Sequence, residues 1–264
     1  MSQSTYDDFS HDYDRFVNWE ARLAAELPFV RTFLTALEKE TRERPCILDA
    51  ACGSGMHAIA LAAEGYNASG ADFSPGMIAK ARENALQAGA HMSFKAAPFG
   101  SLAEAFRHES PFPFDLIMCL GNSLPHLLSS AHIHSALLDM AACLRPGGCL
   151  ILQNRNFDAI MDRKERWIAP QSRQVGDGEW IFLRFYDFDP DGLITFNIVR
   201  LHRINKDGWQ QKVSTTRLYP LKEAEMLNLL QESGFTRVER FGLMADEPFD
   251  PSSSENLVIV ARKT

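Results

Sequence analysis

Hydrophobic positions along this chain change their period twice, and each change marks a change of architecture. Over residues 18–40, Leu23, Leu27, Val30, Phe33, Leu34 and Leu37 recur at the spacing of a helical face, which predicts one helix or two. After Pro45 the rhythm becomes short apolar runs separated by helical stretches. Residues 46–49, 67–71, 91–95, 114–120 and 148–154 read as strands, and 56–64, 75–88 and 130–143 as helices. Ser74 followed by Pro75 is a good helix start, a side-chain cap with proline at the first helical position. Strand and helix in alternation predict a parallel sheet covered on both faces. From 178 to 219 the period becomes two, and three long strands follow one another without a helix. Asp189-Pro-Asp-Gly192 and Asn205-Lys-Asp-Gly208 supply the turns between them. A helix at 221–233 and strands at 236–242 and 256–262 close the chain. The fold expected is α/β: a doubly wound, Rossmann-like, mostly parallel seven-stranded sheet with an antiparallel β insertion acting as a lid. One domain is expected over residues 1–264. Its parts are an N-terminal helical cap (1–44), a core (45–160), a lid (176–220) and a closing helix and hairpin (221–264).

Composition narrows the class. With 264 residues, 45% of them hydrophobic, the chain can bury one substantial core. It carries 34 acidic and 27 basic side chains, a net charge of −7, and no dense basic run. Arg163, Lys164 and Arg166 read as a solvated surface, so nucleic acid is not expected as a partner. Cys46, Cys52, Cys119, Cys143 and Cys149 are odd in number and form no Cys-x-x-Cys pair, which argues against disulfides and zinc. His132 and His134 alternate, which splays their rings around a helix, so no metal is expected. No apolar stretch reaches membrane-spanning length and no secretory pattern is visible, so the expected setting is the cytoplasm and the expected partner a small molecule. Homo-oligomerisation is left open.

The segment richest in chemistry is Ile47-Leu-Asp-Ala-Ala-Cys-Gly-Ser-Gly-Met-His57. An apolar strand ends in an acid, and a Gly-x-Gly turn then feeds a helix. Gly53 and Gly55 remove side chains where a ligand must approach backbone amides. The spacing to Ala58, with Asp72 after the next strand, also satisfies a dinucleotide fingerprint, so an adenosine-type ligand follows but not the choice of cofactor. Asp49 and Ala51 precede the glycines, and an acid there suits a cationic amino-acid end better than a pyrophosphate. Asp72 is placed for ribose hydroxyls, and Phe73 and Met77 for an adenine face. Leu144-Arg-Pro-Gly-Gly reads as a helix end and turn feeding a buried strand.

At these residues the chain resembles the class I S-adenosylmethionine-dependent methyltransferases, over roughly residues 45–155 and again at the final two strands. A narrower likeness is carried by Leu120-Gly-Asn-Ser-Leu-Pro-His-Leu127 and Asn154-Arg-Asn-Phe-Asp158. These runs are similar to the loops after the fourth and fifth strands of glycine and glycine/sarcosine N-methyltransferases. The resemblance implies S-adenosyl-L-methionine as cofactor and S-adenosyl-L-homocysteine as product. It also implies a methyl-transfer site at Leu120, Gly121, Asn122 and Ser123, and an Arg155 clamp on an anionic substrate. A guanidinium fork matches a carboxylate two hydrogen bonds at a time. The competing role for Arg155 is an ion pair with Asp158 or a lid acid. His126 is a candidate base or a packing residue. Where the superfamily often has an acid after the third strand, this chain reads Ala96-Ala-Pro-Phe99, so Ala97, Pro98 and Phe99 must meet the adenine. The N-terminal stretch Tyr6–Trp19 is similar to a cap folded over the cofactor, with Tyr13, Trp19 and Arg22 as contacts, Arg22 for the methionine carboxylate and Tyr13 also at the methyl-transfer site. Burial of Trp19 and Phe16 in a helix core is the alternative. Methyl transfer to a small carboxylate-bearing amine is therefore expected. The alternatives are an NAD-dependent oxidoreductase and a non-catalytic cofactor-binding protein.

Overall fold

A computed structural model describes residues 17–109, 111–204 and 208–264. Its first element, α1 (Trp19–Thr41), is a single helix running through Pro28, with Asn18 capping its start and Arg42 left-handed at its end. Strands β1 (Cys46–Asp49), β2 (Asn67–Asp72), β3 (Ser93–Ala96), β4 (Phe114–Cys119) and β5 (Leu144–Arg155) form the parallel part of the sheet. Helices α2 (Met56–Ala63), α3 (Pro75–Gln87), α4 (Leu102–Phe106) and α5 (Ser130–Cys143) connect them, with a 3₁₀ turn at Leu124–Leu127. The predicted cap is present: the Ser74 hydroxyl accepts the Met77 amide at 3.1 Å, with Pro75 in the first turn.

After β5 the chain forms α6 (Phe157–Arg163) and then a separate antiparallel sheet: β6 (Trp167–Val175), β7 (Gly178–Phe188), β8 (Ile194–Ile204) and β9 (Gln210–Leu218). Helix α7 (Glu223–Glu232) and strands β10 (Phe235–Phe241) and β11 (Asn256–Lys263) return to the main sheet, whose order is β10-β11-β5-β4-β1-β2-β3. Strand β11 runs against both its neighbours. The seven-stranded doubly wound sheet is as expected. The antiparallel sheet has a fourth strand, β6, that alternation did not predict. Pro170 interrupts it at a register shift between Ile168 and Gln171, and most of its side chains are exposed. Proline at a bulge of an edge strand is tolerated, and it erases the period-two pattern. The turn at Asp189–Gly192 forms as predicted, with the Gly192 amide donating to the Asp189 carbonyl at 3.1 Å. Most of the turn expected at Asn205–Gly208 falls outside the described residues.

Each face of the sheet has its own core. Helices α4, α5 and α7 pack Phe106, Leu137, Met140 and Leu230 against Leu48, Ile117 and Leu152. Helices α1 and α2 bring Val30, Leu34 and Leu61 onto Ile47, Leu116, Met118 and Ile151 on the other face. A smaller cluster of Phe157, Ile160, Tyr186, Ile194 and Leu218 fastens the antiparallel sheet to α6 and so to the end of β5. That attachment places the inward face of the second sheet over the carboxyl ends of the main strands.

Candidate active site

A cavity of about 750 Å³ opens where β1, β2, β4 and β5 end, the place at which open α/β sheets bind ligands. Its floor is the Gly-rich turn. The Ala50 amide donates to the Met118 carbonyl at 2.8 Å and the Cys52 amide to Ala71 at 2.9 Å, so both neighbouring strands hold the turn. Gly53 is left-handed at φ 52°, and Asp49, Ala51 and Gly53 line the cavity. Gly55 does not. It starts α2 at φ 83°, and an added Cβ would come within 2.8 Å of the Phe94 ring, so it serves close packing of helix on sheet.

At the end of β2 the Asp72 carboxylate accepts the Gly53 amide and the Ser74 amide, each at 3.0 Å. Those bonds fix the orientation of the carboxylate. Phe73 exposes its ring to the cavity beside Met77. Ala97, Pro98 and Phe99 line the cavity after β3, and Ala97 is tied to Asp72 by a backbone hydrogen bond of 2.9 Å. The structure thus brings the acid, the apolar face and the acid-free third turn together on one cavity.

Helix α1 supplies the charged end. Arg22 lies over the Trp19 ring at 5.3 Å, and its Nε donates to both carboxylate oxygens of Glu26 at 3.1 Å. Glu26 also meets His57 Nε2 at 2.6 Å. Burial works to raise the Glu26 pKa, but the hydrogen bond with His57 and the charge of Arg22 outweigh it and hold the carboxyl below its ordinary range. Asp49, only 2% exposed, is pushed up to about 6 by burial, with His57 and the Ala51 amide pulling the other way. Trp19, Arg22, Glu26 and His57 all line the cavity, and Trp19 also packs against His57 and Arg22. A wall carrying Asp49 and Glu26 suits a cationic amino-acid head and would repel a pyrophosphate. Tyr13 lies outside the described residues.

The loop expected to hold the methyl-transfer site joins β4 to the 3₁₀ turn. Gly121 and Asn122 are both left-handed, at φ 75° and 65°, an uncommon pair for a chain that includes a side chain. Three bonds to β5 impose it: Gly121 amide to Gln153 Oε1 at 2.9 Å, Asn122 amide to Gln153 carbonyl at 3.0 Å, and Arg155 amide to Asn122 Oδ1 at 2.9 Å. Leu120, Gly121, Asn122, Ser123 and His126 line the cavity. The Ser123 hydroxyl donates to the Leu120 carbonyl at 2.9 Å. Burial drives the His126 imidazole down to about 4, and the Thr216 hydroxyl lies 3.5 Å from its Nδ1.

Arg155 lines the cavity too, and it does pair with an acid, though with neither of those expected. Asp158 accepts the Glu223 amide at 2.8 Å instead. The partner is Glu255, in the loop before β11, at 2.6 Å. Arg155 also donates to the Tyr186 hydroxyl, whose pKa is raised chiefly by burial. Sequence reasoning missed Glu26, His57, Gln153, Arg184, Tyr186 and Glu255, all of which line the cavity. The alternation Phe182, Arg184, Tyr186 along β7 was the available signal for two of them, since these three share one face of the strand.

Such a constellation defines a class I S-adenosylmethionine-dependent methyltransferase. A methyltransferase domain family matches residues 47–148. The glycine/sarcosine N-methyltransferase of Parasynechococcus marenigrum is 30% identical over 240 residues, covering 91% of this chain and 78% of that one. The glycine/sarcosine N-methyltransferase of Halorhodospira halochloris is 30% identical over 236 residues, covering 89% and 80%. A crystal structure of an S-adenosylmethionine-dependent methyltransferase from Clostridium acetobutylicum shares the fold, with a TM-score of 0.75 over 98% of this chain and 99% of that one, at 16% identity. The chain belongs to the S-adenosylmethionine-dependent methyltransferase family, and over most of its length it is similar to the glycine/sarcosine N-methyltransferases. It is an enzyme whose cofactor is S-adenosylmethionine.

Proposed function

We propose that the methyl acceptor is the amine nitrogen of a small molecule that also carries a carboxylate. The observation that carries this reading is that Arg155 and Asn122 are joined by a 2.9 Å bond at adjoining strand ends and line one cavity with the cofactor-type residues. A cation on the wall of the methyl-transfer loop suits an acid held a few atoms from its amine, and the names of the relatives agree with it.

Bound here, S-adenosylmethionine supplies a methyl group made electrophilic by its sulfonium, and leaves as S-adenosylhomocysteine. The protein's own work is positioning and exclusion of water, the most productive contribution to a reaction of this kind. Asp72 and Asp49 hold the two ends of the cofactor, Arg155 holds the acceptor's acid, and the left-handed Gly121–Asn122 loop lies beside both. His126, neutral at physiological pH, adds no positive charge beside a cationic cofactor. It is also too weak a base to deprotonate an ammonium group. The acceptor nitrogen therefore enters unprotonated from solution and returns its surplus proton there. The second sheet, fixed through Tyr186 and Ile194, covers the acceptor. Arg155→Ala tests the clamp. Loss of a charged hydrogen bond, about 1.5–3 kcal/mol, should raise the acceptor KM roughly 10- to 150-fold and leave cofactor binding unchanged. An unchanged KM would remove the clamp.

A further inference from the structure

A second cavity of about 430 Å³ adjoins the first, and the wall between them is shared: Arg155, Ile168, Gln171, Arg184, Tyr186 and Glu255 line both. This wall holds two guanidinium groups from different parts of the fold. Arg155 comes from the end of β5, and Arg184 from β7 of the antiparallel sheet, two positions before Tyr186. Burial, and then the neighbouring charge of Arg155, lower the Arg184 pKa, so the two cations feel one another.

The third charge is Glu255. Its Oε1 accepts from Arg155 Nη1 at 2.6 Å, yet its side chain is 64% exposed while that of Arg155 is 29% exposed. The loop behind it is fixed. Buried Asn156 donates its Nδ2 to the Ser254 carbonyl at 2.8 Å and to Pro251 at 3.1 Å, and its backbone amide donates to the Glu255 carbonyl at 3.2 Å. The main chain of Glu255 is therefore anchored while its head reaches through solvent to Arg155. An exposed ion pair contributes little, about 0–1 kcal/mol, so moving that head away is inexpensive. Among the six residues that line both cavities, the charged ones are Arg155, Arg184 and Glu255.

Building on the carboxylate-bearing acceptor proposed above, we infer that acceptor selectivity is set by a carboxylate exchange. Glu255 holds Arg155 as an internal carboxylate, the acceptor's acid replaces it, and Arg184 is the second cation that favours the exchange. Core and lid then grip the same acid, one arginine each, so an amine without an acid gains nothing from this wall. Glu255 and Arg184 are specificity residues with opposite signs: one competes with the acceptor and the other attracts it.

The test uses the intact protein with glycine and sarcosine as probes. Methyl transfer is followed with varied acceptor, and sarcosine binding to the protein saturated with S-adenosylhomocysteine by calorimetry. Arg184→Gln should raise the acceptor KM and the sarcosine Kd at least tenfold, with the cofactor Kd unchanged and kcat within about twofold. Arg184→Lys should recover part of the loss. Glu255→Gln should lower the acceptor KM severalfold, an effect that a merely structural lesion would not produce. A raised KM in Glu255→Gln, or unmoved constants in Arg184→Gln with probes still bound or methylated, overturns the exchange and leaves the acceptor class standing. Failure of the wild-type protein to bind or methylate either probe, or a larger amino acid, overturns the acceptor class and the exchange with it.

Discussion

Asp49→Asn should make the free protein more stable and the cofactor-bound protein weaker. The carboxyl is 2% exposed at the end of β1 and titrates near 6 because burial disfavours its charge. A raised folded-state pKa means that the folded protein prefers the protonated acid. The associated stability is fully present below the unfolded value, 3.8, and is lost as pH rises through about 6. At about 1.4 kcal/mol per pH unit, keeping the ionised acid buried at pH 8 costs about 3 kcal/mol, as an upper figure. Asparagine keeps the shape and cannot ionise. In thermal unfolding without ligand, the variant should gain several degrees at pH 8, since each kcal/mol moves a protein of this size by roughly 2–4 °C. The gain should disappear below pH 4. Calorimetric titration should show the reverse for S-adenosylmethionine: affinity falls about 10- to 150-fold at pH 8, the worth of one charged hydrogen bond. Wild-type affinity should also decline below pH 6, as Asp49 takes up its proton, whereas the variant's dependence there should be flatter. A variant that is less stable at pH 8, or that binds the cofactor as wild type does, would refute both the burial penalty and the placement of Asp49 against a cationic head.

Three further outcomes follow from the same site. Asn122→Ala loses both a side chain that tolerates φ 65° and the acceptor for the Arg155 amide, a combined cost of about 2–4 kcal/mol in denaturant unfolding. Asn122→Gly should restore the backbone part only, and both should lose most turnover. His126→Asn should leave the pH dependence of kcat/KM rising with the acceptor's own ionisation between pH 6.5 and 8.5. Loss of a wild-type inflection in that range, with a matching fall in kcat/KM, would assign His126 a proton-transfer role. Asp72→Asn, which keeps an acceptor oxygen for only one of the two turn amides, should weaken S-adenosylhomocysteine at least tenfold in calorimetry while preserving the fold by circular dichroism. Unchanged affinity would remove Asp72 from the ribose site.

How far the sequence could be read depends on the range of the interactions involved. The strand–Gly-x-Gly–helix unit, the acid after β2 and the Ser74 cap obey local rules, so residues within a dozen positions of one another spell them out. The strands of the lid were visible too, since Phe196 and Ile198 on β8 stand two residues apart and Phe182 and Tyr186 on β7 share a face with Arg184 between them. Strand β6 was hidden because Pro170 breaks that rhythm and its exposed side chains follow none. The contacts that charge the site were hidden by distance. Glu26 meets His57 across 31 residues, and Arg155 meets Glu255 across 100. The acids near Arg155 in sequence drew attention to Asp158, which the fold spends on capping α7 at the Glu223 amide. Pairing between β5 and β11, which sets Asn256 opposite Arg155, is what brings Glu255 to the cavity, and no local pattern announces it.

The most direct measurement is methyl transfer from labelled S-adenosylmethionine to matched acceptors, glycine and sarcosine against methylamine and ethanolamine. Transfer to the nitrogen of the acids, with the amines lacking a carboxylate at least tenfold poorer in kcat/KM, is the predicted result. Equal use of both sets, or transfer to neither, would contradict a methyltransferase that holds its acceptor by the acid.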